Sequence, residues 1–157
     1  MVSHGFFPSE EYMDAALEEA LKAYEEEEVP IGAVAVFQNR IIAKDHNKVE
    51  QLKDPTAHAE ILVIKKASEV LKSWRLLDIS LYVTIEPCPM CVGAMHLARI
   101  PRLIFGAKDE KKGSAGSLYN IASDNRLNHR ILVLNGIREK ECRNILSEFF
   151  IRRRRKI

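Results

Sequence analysis

Apolar residues recur at helical spacing near both ends of the chain and in its middle. Near the start, one such stripe predicts a helix that Ser9 caps and that runs to about residue 27; the stripe consists of Met13, Leu17, Leu21 and Tyr24. Four consecutive glutamates, residues 25–28, are interpreted as the solvated end of this helix. Asp54 as N-cap and Pro55 as first helical residue predict a second helix to about residue 73.

Shorter apolar runs predict five strands, at residues 31–37, 41–44, 79–85, 102–106 and 131–134. The first two form a hairpin across a short polar turn. Pro87 follows the third strand and opens a helix to about residue 98, and a last helix is predicted over residues 137–155. This order predicts an α/β fold in which one five-stranded sheet carries helices on its faces. With no repeat or linker, residues 1–157 are expected to form a single domain with a basic C-terminal helix and tail at 152–156.

The composition narrows the class of protein. The chain has 157 residues and three cysteines, too few for a disulfide framework, which suggests a reducing compartment. Its start has no basic segment followed by an apolar stretch, so we do not expect a signal peptide. No apolar run approaches the roughly 20 residues of a membrane helix. A cytoplasmic protein without membrane contact is therefore expected.

Charge is distributed unevenly along the chain. Residues 1–60 contain 5 Lys or Arg against 13 Asp or Glu, whereas residues 61–157 contain 19 against 9. The basic excess culminates in Arg152, Arg153, Arg154, Arg155 and Lys156. By itself such a terminus is most simply solvated and frayed. Beside a site that modifies a nucleic-acid base, it favours phosphate binding.

Two short motifs indicate metal chemistry. His58 and Glu60 form an H-x-E motif, and Cys88 and Cys91 follow as P-C-x-x-C, with Cys88 28 residues after Glu60. One imidazole and two thiolates are good ligands for Zn²⁺, which normally takes four ligands. The remaining position would be open to water, and Glu60 is close enough to act on that water. This pattern favours a catalytic zinc site over a structural one.

Each motif alone has other interpretations. An isolated histidine on an apolar helix face is usually a packed core residue, and a C-x-x-C pair can be redox-active or part of a four-cysteine metal site. The pair follows Pro87 in no thioredoxin-like setting, and the remaining cysteine, Cys142, is distant. Both metal-bearing segments are expected to begin helices, so that two helix N-termini converge on the ion and help to stabilise thiolate charge.

The combination of H-x-E with P-C-x-x-C resembles the zinc-dependent nucleobase deaminases. Further segments extend the resemblance, from about residue 9 to the C-terminus, to the bacterial tRNA-specific adenosine deaminases; they are D-P-T-A-H-A-E at 54–60, E-P-C-P-M-C at 86–91, F-G-A at 105–107, G-S-L at 116–118, L-N-H-R at 127–130 and F-F at 149–150. Two departures are small: Ile85 where the family often has Leu, and Pro89 where it often has a β-branched residue.

The resemblance implies a cytidine-deaminase-like three-layer fold with a five-stranded mixed sheet, one Zn²⁺ per chain and no organic cofactor. It also implies a homodimer that acts on the anticodon stem-loop of an arginine tRNA and converts its wobble adenosine to inosine. His58, Cys88 and Cys91 would bind the metal, and Glu60 would be the catalytic proton shuttle.

Other residues are assigned to the substrate by the same resemblance. Asn47 would hydrogen-bond the base and Asp109 a ribose hydroxyl, although either could instead be an ordinary polar loop residue. The C-terminal helix and the L-N-H-R segment would meet the anticodon loop; their candidate contacts are Asn128, His129, Phe149, Phe150, Arg152, Arg153, Arg154 and Arg155. Asn128 and His129 could instead simply secure the fold. One phenylalanine would pack inward and the other could stack on a base. Cys142 is expected in the core.

Three competing functions remain open on the sequence. The first is deamination of a free base or nucleotide, since P-C-P-M-C also occurs in guanine deaminases. The L-N-H-R segment and the basic aromatic C-terminal helix favour the tRNA enzyme instead. The second is an RNA-binding protein with a structural zinc, in which Glu60 would have no catalytic role. The third is a redox dithiol protein with no metal and a reversible disulfide between Cys88 and Cys91.

Overall fold

The predicted strands form one sheet in the computed structural model, which describes residues 6–156. The strands are β1 (Gly32–Phe37), β2 (Arg40–His46), β3 (Ser80–Ile85), β4 (Arg102–Ala107) and β5 (Leu132–Asn135). The helices are α1 (Glu10–Glu25), α2 (Val49–Leu52), α3 (Ala59–Leu71), α4 (Pro89–Leu97) and α5 (Glu139–Arg155). The expectation about a signal peptide concerns in part residues 1–5, which lie outside the described residues, as does residue 157.

The sheet is mixed, as expected, and has the strand order β2-β1-β3-β4-β5. β1 pairs antiparallel with β2 and with β3, whereas β3, β4 and β5 run parallel. All six residues of the central strand β3 are buried, which explains its continuous apolar sequence. Because parallel strands end at the same edge of a sheet, the segments that follow β3 and β4 start next to each other.

Helices cover both faces of the sheet, so the three-layer prediction is confirmed. On one face Leu81 and Val83 of β3 pack against α3 and α4 through Val63 and Val92. On the other face Val34 of β1, Tyr82 of β3 and Ile104 of β4 pack against α1 and α5. The two helices contribute Met13 and Cys142, respectively. This alternation is the strand period of two.

α5 lies close to the sheet at Gly106 of β4. A Cβ atom at that position would overlap the Sγ atom of Cys142, so glycine permits the close approach. Cys142 is fully buried, which confirms its predicted place in the core. The contact fixes the first turn of α5 on the sheet, and the basic end extends from there.

The second predicted helix begins later than the sequence indicates. Asp54 and Pro55 belong to a turn, in which Asp54 Oδ1 accepts hydrogen bonds from the backbone N–H (2.8 Å) and the hydroxyl (2.7 Å) of Thr56. α3 therefore starts at Ala59 with His58 as its N-cap. The four-residue α2 was not predicted.

The interpretation of residues 25–28 as a solvated helix end was wrong for Glu28, whereas the other three glutamates are exposed. Glu28 is buried, and its carboxylate accepts the backbone N–H groups of Glu50 (3.0 Å) and Gln51 (2.7 Å) in α2. Glu26 lies 2.8 Å from His46 Nε2. A run of like charges is therefore divided between solvent and specific partners in the interior.

A buried ionic cluster, formed by Glu19, Asp45 and His46, joins α1 to the end of β2. His46 Nδ1 lies 2.9 Å from Glu19 Oε1, and Asp45 pairs with Lys48 (3.0 Å) and Lys66 (2.9 Å). The three ligand atoms are close enough to hold a metal ion. Lysine ammonium groups already neutralise its carboxylates, so the cluster is best described as an ion-pair network.

Among residues 6–156, no helix combines the length and the apolar character that crossing a membrane requires.

Candidate active site

The three predicted metal ligands come together where α3 and α4 begin. His58 is the N-cap of α3 and Cys88 the N-cap of α4, and Cys91 lies in the first turn of α4. Pro89 occupies the first position of α4, where its missing N–H costs nothing and its fixed φ favours the helix. The predicted convergence of two helix N-termini is therefore confirmed, although α3 starts later than expected.

The spacing of the ligand atoms suits a tetrahedral ion. His58 Nδ1 lies 3.6 Å from Cys88 Sγ and 3.5 Å from Cys91 Sγ. Typical zinc–sulfur and zinc–nitrogen bond lengths at tetrahedral angles place a nitrogen and a sulfur ligand about 3.6 Å apart. The donor set of one imidazole and two thiols thus fits Zn²⁺ in both chemistry and spacing.

The pKa values of the three ligand groups are shifted in different directions. A hydrogen bond with Cys91 and another with His58 lower the pKa of Cys88 to about 3 against the opposing effect of burial. The hydrogen bond with Cys88 raises the pKa of His58. The pKa of Cys91 is raised by its hydrogen bond with Cys88 and by burial. Both thiols therefore lie within hydrogen-bonding distance of His58 Nδ1, at the point where a cation would bind all three atoms.

Glu60 lies in the first turn of α3 beside these ligands. Its side chain is 4% exposed, and burial raises the pKa of its carboxyl group. A carboxyl group that can hold a proton nearer neutral pH suits proton transfer. Glu60 also lines the adjacent cavity, so its carboxyl group could exchange a proton with a molecule bound there.

A cavity of about 270 Å³ opens at this group. Drug-sized ligands occupy pockets of about 300–1,000 Å³, so a cavity of this size suits one small planar group. Apolar walls and polar groups alternate around it; its lining consists of Glu28, Val29, Ile31, Asn47, Val49, Glu50, Pro55, His58, Glu60, Ile85, Glu86, Cys88, Asp109, Lys112 and Arg153.

The two predicted polar contacts, Asn47 and Asp109, both line this cavity. Asn47 is buried directly after β2, where its backbone N–H donates to Ile31 O (3.0 Å). Asp109 is half-buried after β4, and its Oδ1 accepts the backbone N–H groups of Lys111 (3.0 Å) and Lys112 (3.4 Å). Asp109 therefore also closes its own turn.

α5 contributes Arg153 to the cavity lining. Phe149 is the inward-facing phenylalanine: it is buried and packs edge-on against Tyr24, with ring centroids 6.0 Å apart. Phe150 is 42% exposed. The basic segment is helical through Arg155, and Lys156 pairs with Glu27 (2.7 Å), so this end of the chain is docked on α1.

The four arginines occupy different surroundings. Arg152 and Arg153 also line a second cavity, of about 560 Å³, next to the first, with which it shares Glu28, Glu50 and Arg153. Arg154 and Arg155 are exposed. The basic segment thus borders the second cavity through Arg152, Arg153 and Lys156 and reaches the first through Arg153.

Asn128 and His129 do not line the first cavity. Asn128 is exposed, and His129 Nε2 donates to Ile100 O (2.8 Å) while its ring packs edge-on against His96. These contacts secure the loop before β5. A contact with RNA from this position remains a prediction.

Besides Glu50 of α2, sequence reasoning missed three polar residues of the cavity: Glu28, Glu86 and Lys112. Glu86 is part of the E-P-C-P-M-C motif, but the sequence suggested no function for its side chain. Lys112 precedes a glycine in a loop of ordinary composition, and nothing in that pattern distinguishes it from a solvated lysine. Contacts between distant segments, which only the fold creates, define all three.

Comparison with known proteins identifies this arrangement. Residues 7–154 match the family model of the MafB19-like deaminases. A tRNA-specific adenosine deaminase of Bacillus subtilis (strain 168) is 49% identical over 145 residues, which cover 92% of this chain and 90% of that protein.

Two solved structures place the fold among deaminases. One, from a study of A-to-I editing by tRNA:A34 deaminases at the wobble position of transfer RNA, has a TM-score of 0.85 and 46% identity, covering 88% of this chain and 100% of that one. The guanine deaminase from Bacillus subtilis has a TM-score of 0.63 and 37% identity, with 71% of each chain covered.

Proposed function

The chain belongs to the MafB19-like deaminases and to the tRNA-specific adenosine deaminases, and we propose that it hydrolyses the wobble adenosine of a tRNA anticodon to inosine. An arginine tRNA is the expected substrate from the family resemblance. The observation that carries the proposal is the cavity in which His58, Cys88 and Glu60 meet Arg153 of the basic helix α5. The fully buried Cys91 completes the ligand group with His58 and Cys88.

His58, Cys88 and Cys91 would hold one Zn²⁺ ion. The spacing of their ligand atoms and the lowered pKa of Cys88 support this assignment. A zinc ion bound there supplies Lewis acidity, which makes water nucleophilic at neutral pH. The two helix N-termini add partial positive charge beside the thiolates, which favours their deprotonated forms.

Glu60 would carry protons during the reaction. Hydrolysis adds water to C6 of adenine and releases the 6-amino group as ammonia, so protons must move from the water to N1 and to the departing amine. A single buried carboxyl group beside the ligands can accept a proton and return it within the same cavity. Burial, which raises the pKa of Glu60, favours its ability to hold that proton.

The cavity walls would position the base and its neighbours. The side-chain amide of Asn47 can hydrogen-bond an adenine edge, and Asp109 can accept a ribose hydroxyl. Arg153 and Lys112 carry positive charge to the same cavity and would contact the flanking phosphates. Phe150, being exposed, is better placed than Phe149 to stack on a base.

The main competing proposal is deamination of a free purine, for which the similarity to guanine deaminase is the relevant observation. A free base has no phosphate and therefore gives α5 no role at the cavity. The placement of Arg153 favours an RNA substrate. Action on tRNA also implies a cytoplasmic location, as expected from the sequence.

We further propose a homodimer, in line with the resemblance. α4 exposes an apolar stripe at helical spacing; it consists of Met90, Gly93, Ala94 and Leu97. Leu97 is 72% exposed, and a Cβ atom at Gly93 would meet no atom of this chain within 4 Å. A glycine inside a helix costs about 1 kcal/mol relative to alanine, so its use here suits close approach of a second copy.

The dimer can be tested by light scattering on the purified protein. Wild type should have twice the mass of one chain, and Leu97→Lys should shift it toward one chain mass. Leu77→Lys, at another exposed leucine, is the control and should leave the mass unchanged. A wild-type protein with the mass of one chain at micromolar concentration would contradict the dimer.

The substrate is tested by comparing kcat/KM for four candidates: a wobble-adenosine stem-loop, the same sequence in a duplex, free adenosine and free guanine. The stem-loop should be preferred, because a loop base is already partly unstacked and its extrusion costs less than opening a pair. Preference for guanine or for a free nucleoside would overturn the tRNA assignment while leaving the metal site intact.

A further inference from the structure

Glu86 connects the end of β3 to the loop that follows β4. Its side chain is 3% exposed. Glu86 Oε1 accepts the backbone N–H of Asp109 (3.1 Å) and the hydroxyl of Ser117, and Oε2 accepts the backbone N–H groups of Ala115 (3.0 Å) and Ser117 (3.0 Å). One carboxylate thus binds both ends of the loop from residue 109 to residue 117.

The loop also packs directly on this carboxylate. Gly113 is buried, and a Cβ atom there would overlap the carboxyl group of Glu86. The next residue, Ser114, donates its backbone N–H to Pro87 O (2.9 Å). The loop therefore wraps around the segment 86–87 and has Glu86 at its centre.

The same loop carries two residues of the active-site cavity. Asp109 stands at its start and Lys112 at the top of its turn, and both line the cavity together with Glu86. Neither residue belongs to the metal-ligand group, whose members come from α3 and α4. The loop thus brings its own polar groups to the cavity, independently of the ligands.

We propose that Glu86 is a positioning residue, which holds the loop 109–117 in the conformation that presents Asp109 and Lys112 to the nucleotides flanking the target base. This inference rests on the proposed function, because it requires an RNA substrate. Glu86 acts through the loop and does not take part in proton transfer.

The hydrogen-bond pattern requires a carboxylate. Each of its two oxygens receives at least one backbone N–H, a donor that cannot reverse its role. In Glu86→Gln the amide NH₂ would face a backbone N–H in either orientation, so at least one buried hydrogen bond would be lost and two donors would oppose each other. The variant is nearly isosteric and also loses one negative charge, a loss that the control variant below shares.

The test compares Glu86→Gln with Glu110→Gln, which makes the same chemical change at an exposed position in the same loop. Hydrogen exchange of residues 109–117 should be at least about tenfold faster in Glu86→Gln, the factor expected for losing a hydrogen bond to a charged group. Exchange in Glu110→Gln should match wild type. Zinc content should be the same in all three proteins.

Binding of the wobble-adenosine stem-loop, measured by fluorescence anisotropy in a Glu60→Ala background, should be several-fold weaker with Glu86→Gln and unchanged with Glu110→Gln. Ser117→Ala removes one of the four donors to Glu86 and should cause smaller changes in loop exchange and in affinity. This variant replaces Glu86→Gln in the test if Glu86→Gln does not fold.

The outcomes separate this inference from the proposed function. Unchanged exchange in the loop overturns the role of Glu86, and so does faster exchange with unchanged affinity. Loss of zinc from Glu86→Gln also overturns it, because Glu86 would then support the metal centre. If wild type fails to convert the stem-loop, the proposed function fails, whereas the exchange measurement still reports whether Glu86 orders the loop.

Discussion

The guanidinium group of Arg152 lies over the ring of Tyr24, 4.3 Å from the ring centroid, and its Nη2 donates to the carbonyl oxygen of the same tyrosine at 3.3 Å. This contact fastens the end of α5 to the end of α1. Arg153, the next residue, lines the active-site cavity instead. Neighbouring arginines of the basic segment therefore have different roles, one in docking the helix and one at the cavity.

Arg153→Ala should weaken binding of the stem-loop several-fold and reduce the slope of log K against log salt by about 0.7, the contribution of one contact to single-stranded nucleic acid. Arg143→Ala, on an exposed turn of the same helix, is the matched control. Fluorescence anisotropy titrations at salt concentrations from about 50 to about 300 mM measure both the affinity and the slope. An unchanged slope in Arg153→Ala would show that this side chain does not contact phosphate.

Glu60→Gln should lower kcat by about 10²–10⁴-fold, because the amide cannot carry the proton. Its zinc content and affinity for the stem-loop should remain close to wild type, since the metal ligands are retained. Glu69→Gln makes the same change on an exposed turn of α3 and should be fully active. Activity of Glu60→Gln within a few-fold of wild type would assign proton transfer to another group.

Cys91→Ser should lose both metal and activity, whereas Cys142→Ala should retain about one zinc per chain. Both cysteines are buried, but Cys91 belongs to the ligand group and Cys142 packs against Gly106. Metal analysis of the purified proteins distinguishes them. A Cys91→Ser protein with full zinc occupancy would remove this residue from the metal site.

Lys66→Met should destabilise the protein more at neutral pH than in acid. Burial alone would raise the pKa of Asp45, but hydrogen bonds, first from Lys66, outweigh it and hold the pKa below its usual value of 3.8. A lowered folded-state pKa contributes stability above the unfolded value, and this contribution is lost as pH falls through the folded value.

We expect Lys66→Met to lower the free energy of unfolding by about 1–3 kcal/mol at pH 7, as for a lost hydrogen bond to a charged group. The difference from wild type should shrink as the pH is lowered below the unfolded pKa of 3.8. Urea unfolding across this range measures it, with Lys65→Met, on an exposed neighbouring position, as the control. A difference independent of pH would show that Asp45 is not the partner responsible.

The sequence predicted the sheet well because most of its strands are short, largely apolar runs of strand length that turn residues bound. β3 was recognised in the sequence from its apolar content, and it is buried along its whole length. The start of α3 was misplaced because Asp54 and Pro55 are typical of a helix N-terminus and also of a turn. The choice between them depends on the hydrogen bonds that Asp54 makes to Thr56, which the sequence pattern does not specify.

The metal ligands were predictable because zinc restricts both residue type and spacing, and those restrictions are visible in sequence. Glu28 and Glu86 were not, because each is defined by backbone N–H groups from segments more than 20 residues away. Every residue type except proline presents a backbone N–H. A buried carboxylate that serves such groups therefore leaves no pattern in the partner segment.

The division of the cavity among separate segments has a consequence for engineering. The metal ligands come from α3 and α4, whereas Arg153 comes from α5, which reaches the cavity only after docking on Tyr24 and Gly106. Under the proposed function, a mutant library at Arg153, Arg154 and Arg155, which keeps the docking residue Arg152, would vary the contacts with RNA and leave the metal ligands unchanged. Selection for a new substrate can begin at these positions, because each selected variant would keep the metal ligands and Glu60 unchanged.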